Sequence, residues 1–181
     1  MARLPKVKEA ELPPELAKLV SDRGRRANQG PFTVWLHRTK LAERIAPMMY
    51  HFRRGGIALP PRLTELAILV AARLTTAQYA WYAHEPQARS HGVEDAVIEA
   101  IRHRRKPTFK KEDEAAVYDL VMEVLDKHDV SDATYDRALK LLGQDQLIDV
   151  VNLAGFYSMI ACTLIAFKVD LPEGEKLPLP V

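Results

Sequence analysis

The sequence predicts an all-α fold in a single domain, and three observations support that prediction. Apolar residues recur at helical spacing in about eight segments, whereas no segment has the alternation typical of a strand. Prolines and glycines fall mainly between these segments, at positions that start or end helices. The 181 residues, 48% of them hydrophobic, suffice for one packed core. We therefore expect one helical bundle that spans residues 1–181.

The first part of the chain is predicted to form an extension and five helices. Residues 1–12 alternate proline, lysine and glutamate with single apolar residues and form the extension. Prolines open the first and third helices, because the first turn of a helix needs no backbone donor there. Pro47 and Pro86 are expected to bend the helices that contain them. We place the five helices at about 13–28, 31–53, 63–74, 76–90 and 95–103.

Three further helices are predicted at about 110–127, 132–142 and 145–168, before a proline-rich arm at 169–181. Ser131 is the predicted N-cap of the middle one, and Gly143 its C-cap. The end of the last helix is apolar enough to approach the length of a membrane span. We interpret it as a buried helix, since Asn152 would lie in hydrocarbon and the other helices carry charged faces.

Composition excludes several classes of partner. The 26 basic and 24 acidic residues give a formal charge of +2, so no large field attracts nucleic acid or an anionic membrane. The basic runs 103–106 and 25–26 are interpreted as solvated helix ends. Cys162 is the single cysteine, which rules out an intramolecular disulfide and a multi-cysteine metal site. With no secretory signal pattern at the amino terminus, we expect a cytoplasmic protein that binds neither nucleic acid nor membrane.

Glu65 and His84 are the ionisable residues that the local pattern places inside the bundle. Glu65 lies on the helix face that carries Ile68 and Leu69. His84 likewise shares a face with apolar and small residues three, four and seven positions away. Consecutive helices joined by a short turn can bring a carboxylate and an imidazole together, and such a pair can transfer protons near neutral pH. The alternative is a satisfied core contact without chemistry.

Two sequence runs carry a resemblance to a known superfamily. RLTELAIL at 62–69 and YAWYAH at 79–84 resemble the core of the carboxymuconolactone decarboxylase and alkylhydroperoxidase-D superfamily. The run PFTVWLHR at 31–38 is similar to the segment that precedes this core in longer members. The resemblance extends over about 13–172 and implies an alkylhydroperoxidase-D-like helical bundle. It also implies a homo-oligomer, commonly a trimer or a hexamer.

The peroxidase branch of that superfamily uses a Cys-x-x-Cys-x-x-x-His motif. The matching positions here are Ala77, Ala80 and His84. A peroxide must be attacked by a thiolate, and the sulfenic acid that results must be resolved by a second thiol, so the two alanines remove that mechanism. Cys162 is expected to be buried in an apolar helix and therefore to be a poor substitute. We regard dithiol peroxidase activity as the less favoured interpretation.

The resemblance then implies the decarboxylase branch, which acts on lactones or related unsaturated organic acids. We expect a cofactor-independent lyase or isomerase in which His84 transfers a proton to or from substrate carbon and Glu65 orients the imidazole. His37, Tyr79 and Trp81 are the candidate substrate-binding residues, the first two as hydrogen-bond donors. No metal is expected, because His37, Glu65 and His84 lack short ligand spacing. A carboxylate substrate also needs a cation, and Arg62, Arg73 and Lys40 lie close in sequence to the proposed residues, with none of the three favoured over the others.

A second hypothesis comes from a different class of function. A helical binding or assembly protein could keep the fold without catalysis. Retention of an acid and a histidine on packing faces favours chemistry, because apolar residues there would avoid the cost of burying polar groups. A dry core without a ligand-sized pocket beside His84 would favour the silent assembly.

Overall fold

The computed structural model describes residues 2–22, 29–53 and 55–180, and in these ranges it contains eight α-helices and no strand. A 3₁₀ turn at Glu9–Glu11 precedes the first helix, and a π-helical segment at Glu123–Lys127 follows the seventh. The helices are α1 Pro14–Asp22, α2 Phe32–Trp35, α3 Thr39–Arg53, α4 Pro61–Leu74, α5 Gln78–Ser90, α6 Asp95–Arg102, α7 Glu112–Met122 and α8 Asp132–Ala166.

The helix predicted at 31–53 is wrong as a single element, because the structure divides it into α2 and α3. Leu36 is buried at the end of α2, and Ala42 is the first buried residue of α3. Ala42 lies six positions after Leu36, so a continuous helix at 3.6 residues per turn would place the two about 120° apart and on different faces. The break lets both helices bury their apolar faces. The predicted end of the first helix, at 23–28, and the basic pair at 25–26 lie outside the described residues.

The later boundaries follow the sequence more closely. Ser131 is the N-cap of α8, since its side chain accepts a hydrogen bond from the backbone N–H of Thr134. Gly143 has non-helical dihedral angles, φ 75° and ψ 169°, and forms a kink within α8. The two helices predicted on either side of Gly143 therefore correspond to the two segments of α8 that meet at this kink. The last part of the predicted helix at 110–127 adopts the π-helical geometry of Glu123–Lys127.

Helix α4 forms the centre of the bundle and packs against α5, α7 and α8. All of its residues from Leu63 to Arg73 are buried. A helix that is buried on every side needs neighbours on every side, and the apolar half of α8 supplies one of them. Glu65 therefore lies in the interior, where a carboxylate requires polar partners.

The two ends of the chain meet beside the bundle. The backbone N–H of Ala2 donates to the Asp170 carboxylate at 2.8 Å. Farther along the arm, the Gln78 amide donates to the Leu179 carbonyl at 3.1 Å and accepts from its N–H at 2.9 Å. Leu179 is 2% exposed, so this part of the arm packs against α5.

Helix α8 is the one helix in the described part of the chain that is long and apolar enough to span a membrane. In its most apolar window, 44% of the residues are buried within this chain. Val150, Leu153 and Leu164 belong to the core, so one face of this helix packs inside the bundle.

Candidate active site

Glu65 and His84 meet in the interior of the bundle. Helices α4 and α5 are joined by three residues, and this short turn sets the two side chains face to face. The Nδ1 atom of His84 lies 2.7 Å from Oε2 of Glu65. Glu65 is 3% exposed and His84 8% exposed. The pair thus has the short, desolvated contact that proton transfer requires, with the carboxylate on α4 and the imidazole on α5.

Arg53, at the end of α3, is the cation of the site. Its Nη1 atom lies 2.5 Å from Oε1 of Glu65 and 3.2 Å from Nδ1 of His84. Its Nη2 atom donates to the side-chain carbonyl of Gln87, one turn beyond His84 on α5. The guanidinium of α3 therefore contacts α4 through Nη1 and α5 through Nη2, beside the carboxylate–imidazole pair.

The cations nominated from sequence proximity have other roles. Arg62 forms ion pairs with Asp113 and Glu114 of α7. Arg73 donates from Nε to the Arg102 carbonyl at 2.7 Å. Lys40 lies exposed at the start of α3. Arg53 is only 12 positions before Glu65, but its contact depends on how the chain passes from α3 to α4, which sequence proximity does not reveal.

The electrostatics of the cluster favour the charged form of both ionic partners. Burial alone would raise the pKa of Glu65, but the hydrogen bond from His84 and the charge of Arg53 outweigh burial and lower that pKa. Burial alone would lower the pKa of Arg53, whereas Tyr157 and Glu65 raise it above its usual value. Glu65 is consequently a carboxylate at neutral pH, with Arg53 as its counterion.

The ionised state of Glu65 fixes the tautomer of His84. A carboxylate only accepts hydrogen bonds, so a contact of 2.7 Å requires a proton on Nδ1 of His84. Neutral His84 then carries its basic lone pair on Nε2. This arrangement makes Nε2 the atom through which the imidazole exchanges a proton with a ligand, while Glu65 orients the ring and stabilises its charged form.

A cavity of about 120 Å³ lies beside the pair. Its polar lining comes from Gln29, Arg53, Tyr79, His84, Gln87 and Tyr157. The apolar part of the wall includes Met49, Ile160 and Leu164. An engineered apolar cavity of about 150 Å³ binds benzene, so this volume suits a molecule of roughly six non-hydrogen atoms. The site therefore combines a small apolar space with a cation and an acid–base pair.

Tyr157 packs against the imidazole of His84, and Tyr79 forms one wall of the cavity. The rings of His84 and Tyr157 are perpendicular, with centroids 5.0 Å apart. The Tyr79 ring packs on Gly30, where an added Cβ would lie 2.6 Å from its Cε1 atom. Gly30 also has a φ of 59°, which favours glycine. Close approach of the backbone at Gly30 thus leaves the room that the Tyr79 ring occupies.

The other nominated substrate contacts lie away from the cavity lining. His37 is exposed, and its Nε2 lies 2.9 Å from the Pro5 carbonyl oxygen. Trp81 is fully buried, and its indole N–H donates to Glu85 at 2.8 Å. Of the three nominated residues, Tyr79 alone is found in the cavity wall of the described structure. Of the three possible metal ligands considered from sequence, Glu65 and His84 are in contact, whereas His37 lies at the surface beside Pro5.

The expected burial of Cys162 is wrong, because the thiol is exposed on α8. Ile160 and Leu164 on the same helix face the cavity, and position 162 projects to another side. An apolar sequence therefore did not imply a buried side chain here. The alanines at 77 and 80 are buried beside the pair, so no thiol replaces the motif cysteines at those positions.

Arg53, Gln87 and Tyr157 are the site residues that sequence reasoning missed. A tyrosine within an apolar helix is a signal for Tyr157, since a buried phenol needs a polar partner. Gln87 lies three residues after His84 and shares its helix face. No local pattern distinguishes Arg53 from other basic residues near helix ends.

The comparisons with known proteins concern the fold. No family model and no curated protein sequence matches the chain. A solved structure described as an alkylhydroperoxidase AhpD core, an uncharacterized peroxidase-related protein from Ralstonia eutropha JMP134, superimposes with a TM-score of 0.80. It is 14% identical, and the match covers 95% of this chain and 93% of that one.

Two other solved structures agree with this result. An uncharacterized peroxidase-related protein from Silicibacter sp. TM1040 has a TM-score of 0.75 and 15% identity, covering 92% of this chain and 88% of its own. A protein of unknown function from Agrobacterium tumefaciens has a TM-score of 0.61 and 15% identity, covering 72% and 89%. The chain thus shares the all-α fold of the alkylhydroperoxidase-D-like superfamily, as its sequence resemblance implied.

Proposed function

We propose that the protein is a cofactor-independent lyase or isomerase that transfers a proton to or from carbon in a small lactone or unsaturated organic acid. The observation that supports this proposal best is the contact of 2.7 Å between Glu65 and His84 at the wall of a ligand-sized cavity. A catalytically silent core would have no need of this cavity beside a desolvated acid–base pair.

In the decarboxylation that we propose, the bond between the substrate and its carboxyl carbon breaks and carbon dioxide leaves. The electron pair of that bond passes into the adjoining unsaturated system and forms a dienolate. His84, protonated at Nε2, adds its proton to a dienolate carbon and becomes neutral. Solvent then restores the proton. An isomerisation uses the same residue twice, first as base and then as acid.

The other cluster residues have supporting roles in this scheme. Glu65 stabilises the imidazolium that forms or is consumed in the proton transfer. The phenols of Tyr79 and Tyr157 line the cavity and are suited to donate a hydrogen bond to the oxygen of a dienolate. The apolar wall excludes water, which strengthens each of these interactions.

The experiment that tests this proposal is a screen of the purified protein against small lactones and unsaturated carboxylic acids. Substrate loss and carbon dioxide release are measured together, so that a lyase is distinguished from an isomerase. Turnover of one compound class supports the proposal. If no compound is turned over or bound, the silent helical assembly becomes the better account of the fold.

Replacement of Cys162 with serine is expected to leave turnover within a few-fold of the parent protein. The thiol is exposed on α8 and outside the cavity wall, so it has no access to a bound substrate. The measurement is kcat/KM on the compound that the screen identifies. Complete loss of activity in a folded Cys162→Ser protein would instead require thiol chemistry at that position.

A homo-oligomer, a trimer or a hexamer, and a cytoplasmic location also belong to the proposal. The exposed face of α8 carries Ile148 and Met159, which are 48% and 39% exposed, together with Gly155 and Cys162. Residues 150–167 contain no charged side chain, so this exposed face is suited to pack against another apolar surface. A second copy of the chain supplies such a face by symmetry.

Replacing Met159 with lysine is expected to lower the molar mass of the particle in solution, because a charge would be buried between copies. Light scattering at micromolar concentration measures that mass, and Tyr135→Lys, an exposed position before Gly143, is the matched control. A parent protein that scatters as a monomer of 20.4 kDa would contradict self-association. Cosedimentation with lipid vesicles would identify a membrane as the occupant of this face.

A further inference from the structure

We infer that the cavity binds a small carboxylate anion through Arg53, and that binding of this anion loads a proton onto His84. The inference rests on the proposed function, because it names the ionic form of the substrate at the same site. It also gives Arg53 a specific part, as the residue that selects a carboxylate over a neutral analogue.

Arg53 is the cation in the wall of the cavity. The side chain is 22% exposed and forms part of the cavity wall. Its Nη1 atom contacts Glu65 and its Nη2 atom contacts Gln87, and the side chain also hydrogen-bonds with Tyr157. A guanidinium carries five N–H donors, so these contacts leave donors of the same planar group for an oxygen in the cavity. The two oxygens of a carboxylate match that planar group.

Charge balance determines which group responds to an incoming carboxylate. Before a ligand binds, the charges of Arg53 and Glu65 cancel and His84 can be neutral. A carboxylate that enters this partly buried space adds one uncompensated negative charge, which is costly to leave there. Protonation of His84 restores neutrality. The ionic contact with Glu65, 2.7 Å away, already orients the imidazole for this second proton.

The groups that face His84 decide whether a different residue can take that proton. Arg53 from α3 is already cationic, and Glu65 from α4 is held as a carboxylate by its contacts. Tyr79 from α5 and Tyr157 from α8 have phenols, which do not take up a proton to become cations. Among the described residues of the cavity, His84 is therefore the group whose protonation balances an incoming anion.

Anion binding and acid catalysis are coupled by this arrangement. The proton resides on Nε2 of His84 while the carboxylate is bound, and Nε2 is the atom from which we propose protonation of carbon. A neutral molecule of the same shape enters without loading the acid. The site thereby distinguishes an unsaturated acid from its amide both in affinity and in readiness for proton transfer.

Titration calorimetry of crotonate against crotonamide tests the inference without any need for turnover. Each titration is run at pH 8 in two buffers with different ionisation enthalpies, and the difference gives the protons taken up. We expect uptake that approaches about one proton per bound crotonate and none for crotonamide. In a pH series, crotonate affinity should fall as the pH rises. The decrease should approach about tenfold per pH unit in the range where one proton is taken up.

Two variants assign the effect to residues. In His84→Gln, crotonate binding should show no proton uptake and no such pH dependence. In Arg53→Lys, which keeps the charge but not the planar fork, crotonate affinity should fall at least fivefold while crotonamide affinity changes less than twofold. Crotonate binding without proton uptake in the parent protein overturns the inference but leaves turnover by the pair open. Failure of both compounds to bind overturns the inference, and turnover in the separate screen then decides the proposed function.

Discussion

Replacement of Glu65 with glutamine is expected to lower the free energy of unfolding by about 3 kcal/mol at pH 7, because it leaves the charge of Arg53 without its buried counterion. Glutamine also offers one carbonyl oxygen where the carboxylate serves both Arg53 and His84. Urea denaturation at pH 7 measures this difference. Glu43→Gln, at an exposed position of α3, is the control and should change stability by less than about 0.5 kcal/mol.

The pH dependence of this difference has a definite sign. The pKa of Glu65 is lower in the folded protein, so its stabilising contribution is complete above the ordinary glutamate pKa of about 4.3. The contribution is lost as the pH falls through the lower pKa of the folded state. The stability gap between parent and Glu65→Gln should therefore narrow under acid conditions. A gap that widens on acidification would contradict a charged Glu65.

A double variant separates the ion pair from simple packing. Arg53→Met with Glu65→Gln removes both charges, so it should be more stable than the sum of the two single changes predicts. We expect a coupling of at least about 1 kcal/mol, since each single change leaves one buried charge. Additive effects would show that the contact of 2.5 Å between Arg53 and Glu65 carries no net interaction in solution.

Replacement of His84 with glutamine is expected to reduce kcat/KM by about 10²- to 10⁴-fold, the usual contribution of a general acid or base. Glutamine retains a donor toward Glu65 but exchanges no proton with a substrate. The measurement is steady-state turnover of the compound that the screen identifies, with the fold checked by circular dichroism.

The matched control for this change is His103→Gln, at the exposed end of α6. Its kcat/KM should stay within a few-fold of the parent value, because His103 follows α6 and lies outside the cavity wall. A folded His84→Gln protein that keeps more than a tenth of parental activity would remove His84 from the proton-transfer step.

The fold and the burial of the central pair follow from local patterns in the sequence. Glu65 lies in an apolar helix with no polar side to present to water, and a helix of this kind is expected at the centre of a bundle. Ser131 and Gly143 have the chemistry of helix caps, and both act at the ends of helical segments. Such signals involve residues within a few positions of one another, so they can be recognised from the sequence alone.

The remaining parts of the site depend on distant contacts. Arg53 reaches Glu65 only because the loop after α3 returns the chain to α4, and no residue pattern near position 53 encodes that path. The separation of α2 from α3 depends on which faces the neighbouring helices leave open. Cys162 is exposed because α8 has apolar residues on several faces and the rest of this chain covers only some of them. Hydrophobic composition alone therefore predicted the wrong burial for this thiol.

The most direct test of the proton-transfer account is deuterium incorporation. The protein is incubated in D₂O with the lactones and unsaturated acids that bind it, and proton NMR follows loss of signal at substrate or product carbon. The account predicts incorporation at one carbon by the parent protein and at least a hundredfold slower incorporation by His84→Gln. Tight binding without deuterium incorporation by the parent protein, for every compound that binds, would contradict the account.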